Sequence, residues 1–278
     1  MNICWANVES FDEADIVVVG VPDESKSHSL RKGTSDAPHR IREISNIRDT
    51  YKRENKSSLG LPFGGINKKV YDYGNVLRSE VSDTIDKIVK NSKIPIVLGG
   101  DHSISIDIIK AVAKYHSPLS LVYFDAHPDI ISSTRGYYGS VFSDVLQHID
   151  VKSSIQVGIR TPEQEEIYNI EKLDLTILTP LDITRNGIIK TEEALLERIG
   201  KNVYVSLDMD VIDPAFAPGV SVPVPFGLNN NDVLYLLKSL TKRGILGLDI
   251  MEVCPNYDIK DRTSHLASRM IAEVISSS

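Results

Sequence analysis

Short apolar runs and stretches of helical periodicity alternate along the whole chain. The apolar runs, rich in Val, Ile and Leu, occupy residues 16–20, 68–74, 94–100, 119–127, 154–160, 173–178, 202–208 and 244–253. Amphipathic stretches lie between and after them, at residues 77–91, 103–116, 163–171, 191–199, 230–242 and 264–275. Continuously apolar strands that alternate with amphipathic helices are typical of a parallel sheet covered on both faces. The pattern therefore predicts an α/β fold.

A single domain, residues 1–278, is the expected organisation. The chain has 278 residues and 41% apolar content, so it can bury a substantial core, and its length is within the range of single α/β domains. We find no internal repeat and no low-complexity tract. The Gly-rich stretch 51–67 has the composition of a domain boundary, but its shortness favours a surface loop.

Composition argues against several kinds of partner. The formal net charge is −7 and no basic run appears, so the chain lacks the positive face that nucleic-acid phosphates require. No stretch approaches the ~18 to 20 apolar residues of a membrane span, and the first ten residues do not resemble a secretion signal. We therefore expect a cytoplasmic protein with no nucleic-acid or membrane partner. Cys4 and Cys254 are isolated and predict a reduced pair without a disulfide or metal role.

Two segments place acidic or imidazole residues two positions apart at the end of an apolar run. Asp125 and His127 do so in the segment DAHPD, and Asp208 and Asp210 do so in SLDMDVIDP. Side chains two positions apart on a strand leave the same face, so each pair is expected to point to one side of the sheet.

Three further residues extend this set. His102 follows the run PIVLGG, Asp129 closes the segment DAHPD, and Glu252 follows the run LDIM. In open parallel sheets, ligands bind beyond the carboxyl ends of the strands. The sequence therefore predicts that the acidic and imidazole side chains at several strand ends meet at one edge of the sheet.

The candidate ligands suit a pair of metal ions. Two divalent cations carry a charge of +4, which balances the four carboxylates of Asp125, Asp129, Asp208 and Asp210. A set of carboxylates and imidazoles without thiolate favours Mn²⁺ or a similar ion over structural zinc. Two metals about 3.5 to 4 Å apart can share a water and lower its pKa, which favours hydrolysis at a trigonal carbon or at phosphorus. The alternative is that these residues are solvated strand ends, but three such segments in one chain favour the metal site.

Three segments carry a resemblance to a known family. GGDHS at 99–103, DAHPD at 125–129 and SLDMDVIDPAFAPG at 206–219 resemble the signature segments of the ureohydrolase superfamily, which comprises arginases, agmatinases and formimidoylglutamases. Segments 20–42 and 252–258 also resemble parts of that family. The resemblance implies a three-layer α/β/α fold around an eight-stranded, mostly parallel sheet. It further implies two Mn²⁺ ions per subunit, a small guanidino substrate, and a homo-oligomer, either a trimer or a hexamer.

The resemblance also implies which residues bind metal. The ligands of one ion would be His102, Asp125, Asp129 and Asp208, and those of the other would be His127, Asp125, Asp208 and Asp210. Asp125 and Asp208 would then bridge the two ions. Ligand type narrows the choice of metal without deciding it, so Ni²⁺, Co²⁺ and Fe²⁺ remain alternatives to Mn²⁺.

Catalytic roles follow from the same resemblance. Glu252 would hold the substrate guanidinium, and Asp129 would pass a proton to the departing amine. Asp101 is expected to orient the neighbouring His102 imidazole from outside the ligand set.

Two substrate positions depart from the family pattern. Tyr138 stands where agmatinases and arginases usually carry a histidine credited with proton shuttling, and Val222 stands where a hydroxyl usually contacts the substrate. A phenol with an unperturbed pKa near ~10 shuttles protons poorly at neutral pH. These departures leave open whether activity is retained, redirected or reduced.

The loop 130–138 is expected to contact the tail of the substrate. It contains Ser132 and Arg135, and an arginine there could bind a substrate carboxylate or could be a solvated loop charge. The leading hypothesis is a hydrolase that cleaves the C–N bond of a guanidino compound and releases urea, with agmatine the first candidate substrate. Arginine, guanidino acids and formimidoylglutamate remain alternatives, as does a metal-binding homologue with little turnover.

Overall fold

One sheet of eight parallel strands forms the middle layer of the computed structural model, which describes residues 1–278. The strands are β1 (Ile16–Gly20), β4 (Val70–Asn75), β5 (Ile94–Leu98), β6 (Leu119–Phe124), β7 (Ile155–Val157), β8 (Ile177–Leu178), β9 (Asn202–Asp208) and β10 (Gly247–Met251). Their order in the sheet is β4-β1-β5-β10-β9-β6-β7-β8. Each neighbouring pair is parallel, so all carboxyl ends lie at the same edge.

Helices cover both faces of the sheet. The helices are α1 (Ala37–Arg48), α2 (Val81–Lys90), α3 (Ile104–Ala113), α4 (Val141–Val145), α5 (Gln164–Leu173), α6 (Pro180–Asn186), α7 (Ile188–Arg198), α8 (Asn230–Arg243) and α9 (Arg262–Ser277). One buried cluster joins the sheet to α1, α6, α7, α8 and α9, and a second joins it to α2, α3 and α4. The predicted three-layer α/β/α fold is confirmed. None of the helices combines the length and the apolar character needed to cross a membrane.

Alternation along the strands explains why the chain needs two cores. In β9, Val203, Val205 and Leu207 pack in the cluster with α8 and α9, whereas Tyr204 packs in the cluster with α2 and α3. Because successive side chains of a strand point to opposite faces, a strand covered on both sides has to be apolar throughout. This is why the central strands read as continuous apolar runs.

Helix α8 shows how local sequence sets the bounds of an element. The Asn229 side chain accepts a hydrogen bond from the backbone N–H of Asp232 at 2.9 Å, which caps the first turn and typically contributes about 1 kcal/mol. Val233, Leu236 and Leu240 are buried against the sheet at helical spacing. Gly244, with a φ of 105°, ends the helix in a backbone conformation that residues with a side chain rarely adopt.

The structure departs from the expected elements at several places. The stretch 51–67 is not entirely a loop, because β2 (Thr50–Arg53) and β3 (Lys56–Leu59) pair as an antiparallel hairpin. The helices α1, α4 and α6 were not predicted from the apolar pattern of the sequence. The run 173–178 yields only the two-residue strand β8, since α5 continues to Leu173.

Two glycines let the end of β5 approach its neighbours. A Cβ atom on Gly99 would lie 1.8 Å from the Met251 sulfur, and one on Gly100 would lie 1.9 Å from the Asp23 carbonyl oxygen. Larger residues would push the segment away from β10. The glycine pair of GGDHS therefore sets the position from which His102 enters the site.

Candidate active site

Four adjacent strands of the sheet deliver the predicted residues to one edge. The strands β5, β10, β9 and β6 are neighbours in that order. Residues following these strands supply His102, Glu252, Asp210, Asp125 and their neighbours. Strand β6 ends at Phe124, so Asp125 and His127 lie in the loop beyond it and not on the strand as expected. They nevertheless converge on the same cluster.

The His102 imidazole lies among three carboxylates. Its Nδ1 atom is 3.0 Å from Asp125 Oδ2, 3.1 Å from Asp208 Oδ2 and 3.5 Å from Asp129 Oδ2. All four side chains are buried. The structure thus brings together the four residues expected around the first metal ion.

A second group lies around His127. Its Nδ1 atom is 3.0 Å from Asp210 Oδ2 and 3.4 Å from Asp125 Oδ1. Asp125 therefore presents one oxygen to each imidazole, which is the geometry expected of a bridging ligand. The Asp208 carboxylate approaches His102 through Oδ2, while its Oδ1 atom accepts a hydrogen bond from the Asp210 N–H at 2.7 Å.

Backbone donors hold the carboxylates of this second group in place. Asp125 Oδ1 accepts from the His127 N–H at 2.6 Å, and Asp210 Oδ1 accepts from the Ala126 N–H at 3.0 Å. The loops after β6 and β9 are thus tied to each other. With these bonds in place, Asp210 Oδ2 faces the His127 imidazole, and the two oxygens of Asp125 face one imidazole each.

The donor set fits a pair of divalent cations. Asp125 Oδ2 is buried and accepts no hydrogen bond, although buried polar atoms are normally satisfied. Two groups sharing Asp125, namely His102 with Asp129 and His127 with Asp210, each bring their ligand atoms within 4.8 Å of one another. The set contains only oxygen and nitrogen donors, which suits Mn²⁺-like ions better than structural zinc.

The pKa shifts of the carboxylates in the cluster also favour a site for bound cations. Burial raises the pKa of Asp129 well above its usual range, and repulsion from the Asp125 carboxylate adds to the effect. Burial is also the largest cause of the raised pKa of Asp208, and repulsion from Asp210 and Asp125 raises it further. Burial opposes ionisation of Asp125, but its contacts with His102 and His127 outweigh burial and lower its pKa. Such crowding of buried carboxylates is what bound cations would relieve.

The far side of the His102 ring is held by a residue that sequence analysis missed. His102 Nε2 lies 2.9 Å from the Ser206 Oγ atom, and Ser206 Oγ donates to Asp249 Oδ1 at 2.7 Å. The Tyr204 hydroxyl donates to Asp249 Oδ2 at 2.8 Å. All of these residues are buried. They fix the ring with Nδ1 facing the carboxylates.

The prediction that Asp101 contacts and orients the His102 imidazole is wrong. The Asp101 carboxylate instead accepts from the Ser103 N–H at 2.9 Å and from the Lys26 N–H at 3.1 Å. The reason is that adjacent residues in a tight turn point in different directions. Asp101 stabilises the turn that leads into α3, and Ser206 orients the imidazole.

Tyr123 is a further residue that the sequence did not single out. Its ring stacks on His102 with centroids 4.7 Å apart, and its hydroxyl donates to Asp129 Oδ2 at 2.6 Å. The hydroxyl is also 3.1 Å from His102 Nδ1. Tyr123 therefore positions both the imidazole and the Asp129 carboxylate. It lay hidden in the sequence because it belongs to a continuous apolar strand.

Glu252 is buried at the end of β10, beside the cluster. Its Oε1 atom accepts from the His102 N–H at 2.8 Å, and its Oε2 atom accepts from the Ser221 hydroxyl. Burial, opposed by the Ser221 hydrogen bond, raises the pKa of Glu252 to about 7. Glu252 and Asp129 have φ values of 64° and 48°. Non-glycine residues in this region are strained, and such strain concentrates at functional sites.

A cavity of about 270 Å³ opens above the cluster. His127 and Asp129 line it from the side of the cluster, and Tyr138 and Val222 line its wall. The two residues that depart from the family pattern thus face the same space as the cluster. Tyr137 also lines the cavity, although sequence analysis did not select it.

Ser132 and Arg135 do not line this cavity. The Ser132 hydroxyl donates to Glu165 Oε1 at 2.9 Å, and Arg135 Nη1 donates to the Ser143 carbonyl at 2.9 Å. The Arg135 side chain is 55% exposed and lies 3.4 Å from Asp144. Their predicted contact with substrate is therefore not supported, because local partners hold both side chains at the outside of the loop.

The chain is similar to known proteins over most of its length. The profile of the Arginase family matches residues 14–276. The mitochondrial guanidino acid hydrolase of Homo sapiens is 31% identical over 277 residues, which cover 94% of this chain and 77% of that protein. Proclavaminate amidinohydrolase of Streptomyces clavuligerus is 32% identical, with 94% and 87% covered. The crystal structure of agmatine ureohydrolase of Thermoplasma volcanium has a TM-score of 0.85 at 30% identity and covers 99% of this chain and 93% of that chain.

The chain belongs to the arginase family. The predicted membership of the ureohydrolase superfamily is confirmed, and with it the class of metal-dependent hydrolases.

Proposed function

We propose that the chain binds two divalent metal ions and hydrolyses a C–N bond of a guanidino compound, releasing urea. The observation that carries this proposal is the position of Asp125, whose two oxygens face the imidazoles of His102 and His127 at 3.0 and 3.4 Å. Glu252 lies beside this cluster, and the cavity opens above it.

The bound ions would supply a water of lowered pKa and a positive field at the reacting carbon. His102, Asp125, Asp129 and Asp208 would hold one ion, and His127, Asp125, Asp208 and Asp210 would hold the other. The donor set supports Mn²⁺, with Ni²⁺, Co²⁺ and Fe²⁺ as alternatives.

Glu252 would hold the guanidinium group of the substrate. Its carboxylate is buried and is already oriented by Ser221 and by the His102 N–H. A guanidinium is a poor electrophile because resonance spreads its charge, so fixed orientation has to supply much of the acceleration. A preorganised carboxylate in a buried setting does this without reorganising during the reaction.

Asp129 would move the proton to the departing amine. Its Oδ2 atom faces His102 and accepts from the Tyr123 hydroxyl, and the residue lines the cavity. A carboxyl group that lies between the metal cluster and the cavity can take a proton from the attacking water and pass it to the nitrogen that leaves.

Agmatine is the first candidate substrate. The agmatine ureohydrolase of Thermoplasma volcanium matches over nearly the whole chain. Acidic guanidino compounds are the alternative substrates, because the guanidino acid hydrolase and the proclavaminate amidinohydrolase are also similar to this chain. A different tail in the same cavity would leave the cluster unchanged.

Urea release from agmatine, arginine and 4-guanidinobutyrate tests the proposal, with Mn²⁺ and then Ni²⁺ added to metal-free protein. For formimidoylglutamate, which has no guanidino group, the product to measure is formamide. We expect metal-dependent urea from at least one guanidine, and most from agmatine. No product from any of them, at full metal occupancy, would contradict the proposal and favour a homologue with little turnover. Assembly into trimers or hexamers and a cytoplasmic location stay predictions, the first of which sedimentation velocity can test.

A further inference from the structure

A second cavity, of about 390 Å³, lies beside the first turns of α9 and is called the α9 cavity below. Three basic residues of that helix line it, namely Arg262, His265 and Arg269. They are three and four positions apart, so they share one face of the helix. None of the residues that line the α9 cavity also lines the cavity above the cluster. The two cavities are therefore separate.

The α9 cavity collects positive charge in a chain whose formal net charge is −7. No aspartate or glutamate lines it. Arg262 is exposed and forms no ion pair, and its side chain makes one hydrogen bond, from Nη1 to the Ala215 carbonyl at 3.2 Å. A guanidinium has five N–H donors. Most of the donors of Arg262 are therefore free to bind a ligand.

The charges around Arg262 are already paired with each other. Arg269 Nη1 lies 3.4 Å from Asp49 Oδ1, and its Nη2 lies 2.9 Å from Glu273 Oε1. The carboxylate of Asp261, the residue before Arg262, accepts a hydrogen bond at 2.9 Å from an arginine of α1. The charge left without a partner at the α9 cavity is that of Arg262.

His265 adds a polar atom without a partner. Its Nδ1 atom is buried and makes no hydrogen bond, although buried polar atoms are normally satisfied. Phe216 and Leu266 line the same cavity with apolar surface, and the Phe216 side chain is 42% exposed. The α9 cavity thus combines a free guanidinium, an imidazole nitrogen without a partner and an apolar wall.

We propose that the α9 cavity binds a small organic anion. Its carboxylate or phosphate group would pair with Arg262 and accept a hydrogen bond from His265, while its apolar body would contact Phe216 and Leu266. The planar guanidinium suits this role because it can donate two parallel hydrogen bonds to either kind of oxyanion. This site stands apart from the proposed function, since it shares no residue with the metal cluster.

Four ligands that share a benzene ring test the proposal by isothermal titration calorimetry of the metal-loaded protein. Benzoate and phenyl phosphate carry the two kinds of oxyanion, benzyl alcohol is neutral, and benzylamine is a cation. We expect at least one anion to bind with a dissociation constant of about 1 mM or less, and the alcohol and the amine to bind about tenfold more weakly or not at all. The tighter anion identifies the preferred oxyanion.

Matched variants assign the binding to this cavity. Arg262→Gln should weaken binding of the preferred anion about tenfold, and His265→Leu should weaken it about threefold. Arg185→Gln is the control, because it removes an exposed arginine of α6 that lies outside the cavity, and it should leave the affinity unchanged. The midpoint of thermal unfolding without ligand shows that each variant is folded.

The same titrations of metal-free protein separate this site from binding of an anion to the metals. Affinity that depends on Arg262 should persist without metal. Equal affinity for benzoate, phenyl phosphate and benzyl alcohol would overturn the proposal. So would an affinity that is unchanged in Arg262→Gln, or binding that disappears together with the metal.

Discussion

The Nε2 atom of His102 lies 2.9 Å from the Oγ atom of Ser206, on the side of the ring that faces away from the carboxylate cluster. Ser206 in turn donates to Asp249 at 2.7 Å. This chain of hydrogen bonds fixes which ring nitrogen faces the carboxylate cluster. Partners of this kind orient a ligand and raise its basicity, although they do not touch the metal.

Ser206→Ala should weaken metal binding at the His102 site by about 10- to 100-fold, because the imidazole loses its orienting partner. Calorimetric titration of metal-free protein with Mn²⁺ measures this directly. Tyr204→Phe is the control, since it removes a bond to the far oxygen of Asp249 and leaves Ser206 in place. Unchanged affinity in Ser206→Ala would show that the hydrogen bond has no such role.

Asp125→Asn should lower the affinity for both metal ions and abolish urea release. Each oxygen of Asp125 faces a different imidazole, so its charge is shared by both sites. Elemental analysis of the purified variant gives the metal content per chain. Normal stoichiometry in this variant would remove Asp125 from the bridging position.

Glu252→Gln should reduce kcat/KM for agmatine by about a hundredfold or more, since a charge partner of the substrate guanidinium is lost from a buried site. The metal content should stay normal, because Glu252 lies beside the cluster and accepts hydrogen bonds from the His102 N–H and the Ser221 hydroxyl, not from a side chain of the cluster. A loss of metal together with activity would instead assign Glu252 a role in building the cluster.

Tyr138→His should raise kcat at neutral pH by about two- to tenfold if proton supply limits turnover. Burial, with the charges of Glu252 and Asp129, raises the pKa of Tyr138 above its ordinary value, so the phenol is a weak proton carrier. A histidine titrates near neutrality. A large fall in kcat would show instead that the tyrosine positions the substrate.

Arg42→Ala should destabilise the fold by about 3–5 kcal/mol, because it leaves the Asp72 carboxylate buried without its partner. Arg42 donates to both oxygens of Asp72 at 2.8 Å, and Asp72 also accepts from the Ile3 N–H at 2.7 Å. Urea denaturation followed by circular dichroism measures the free energy of unfolding. A change below about 1 kcal/mol would mean that the pair contributes as little as an exposed one.

The sequence predicted the cluster well, since its residues come directly after apolar strands. Apolar periodicity fixes where a strand ends, and the edge of a parallel sheet then brings such ends together. Asp125 and His127 came together for this reason even though β6 ends before them.

The residues that hold the cluster in place without belonging to it were much harder to predict. Asp101 stood next to His102 in sequence, yet Ser206 and Asp249 hold the imidazole from two other strands. Those contacts depend on strand order and register, which periodicity does not specify. One signal was present: Asp249 is a carboxylate inside the apolar run GLDIM, where an ionisable group needs a specific partner.

The orientation of the loop side chains could not be predicted from the sequence either. Arg135 lay in the loop expected to reach substrate, but Ser143 and Asp144 hold it on the outside. Tyr137, its near neighbour, lines the cavity instead. Which way a loop side chain points is decided by tertiary contacts that composition does not reveal.

The metal content of purified protein reconstituted with Mn²⁺, measured by elemental analysis after removal of free metal, tests the central claim most directly. Two ions per chain are expected, because Asp125 joins two groups of ligands that each suit one cation. A content of one ion or none per chain would contradict the account.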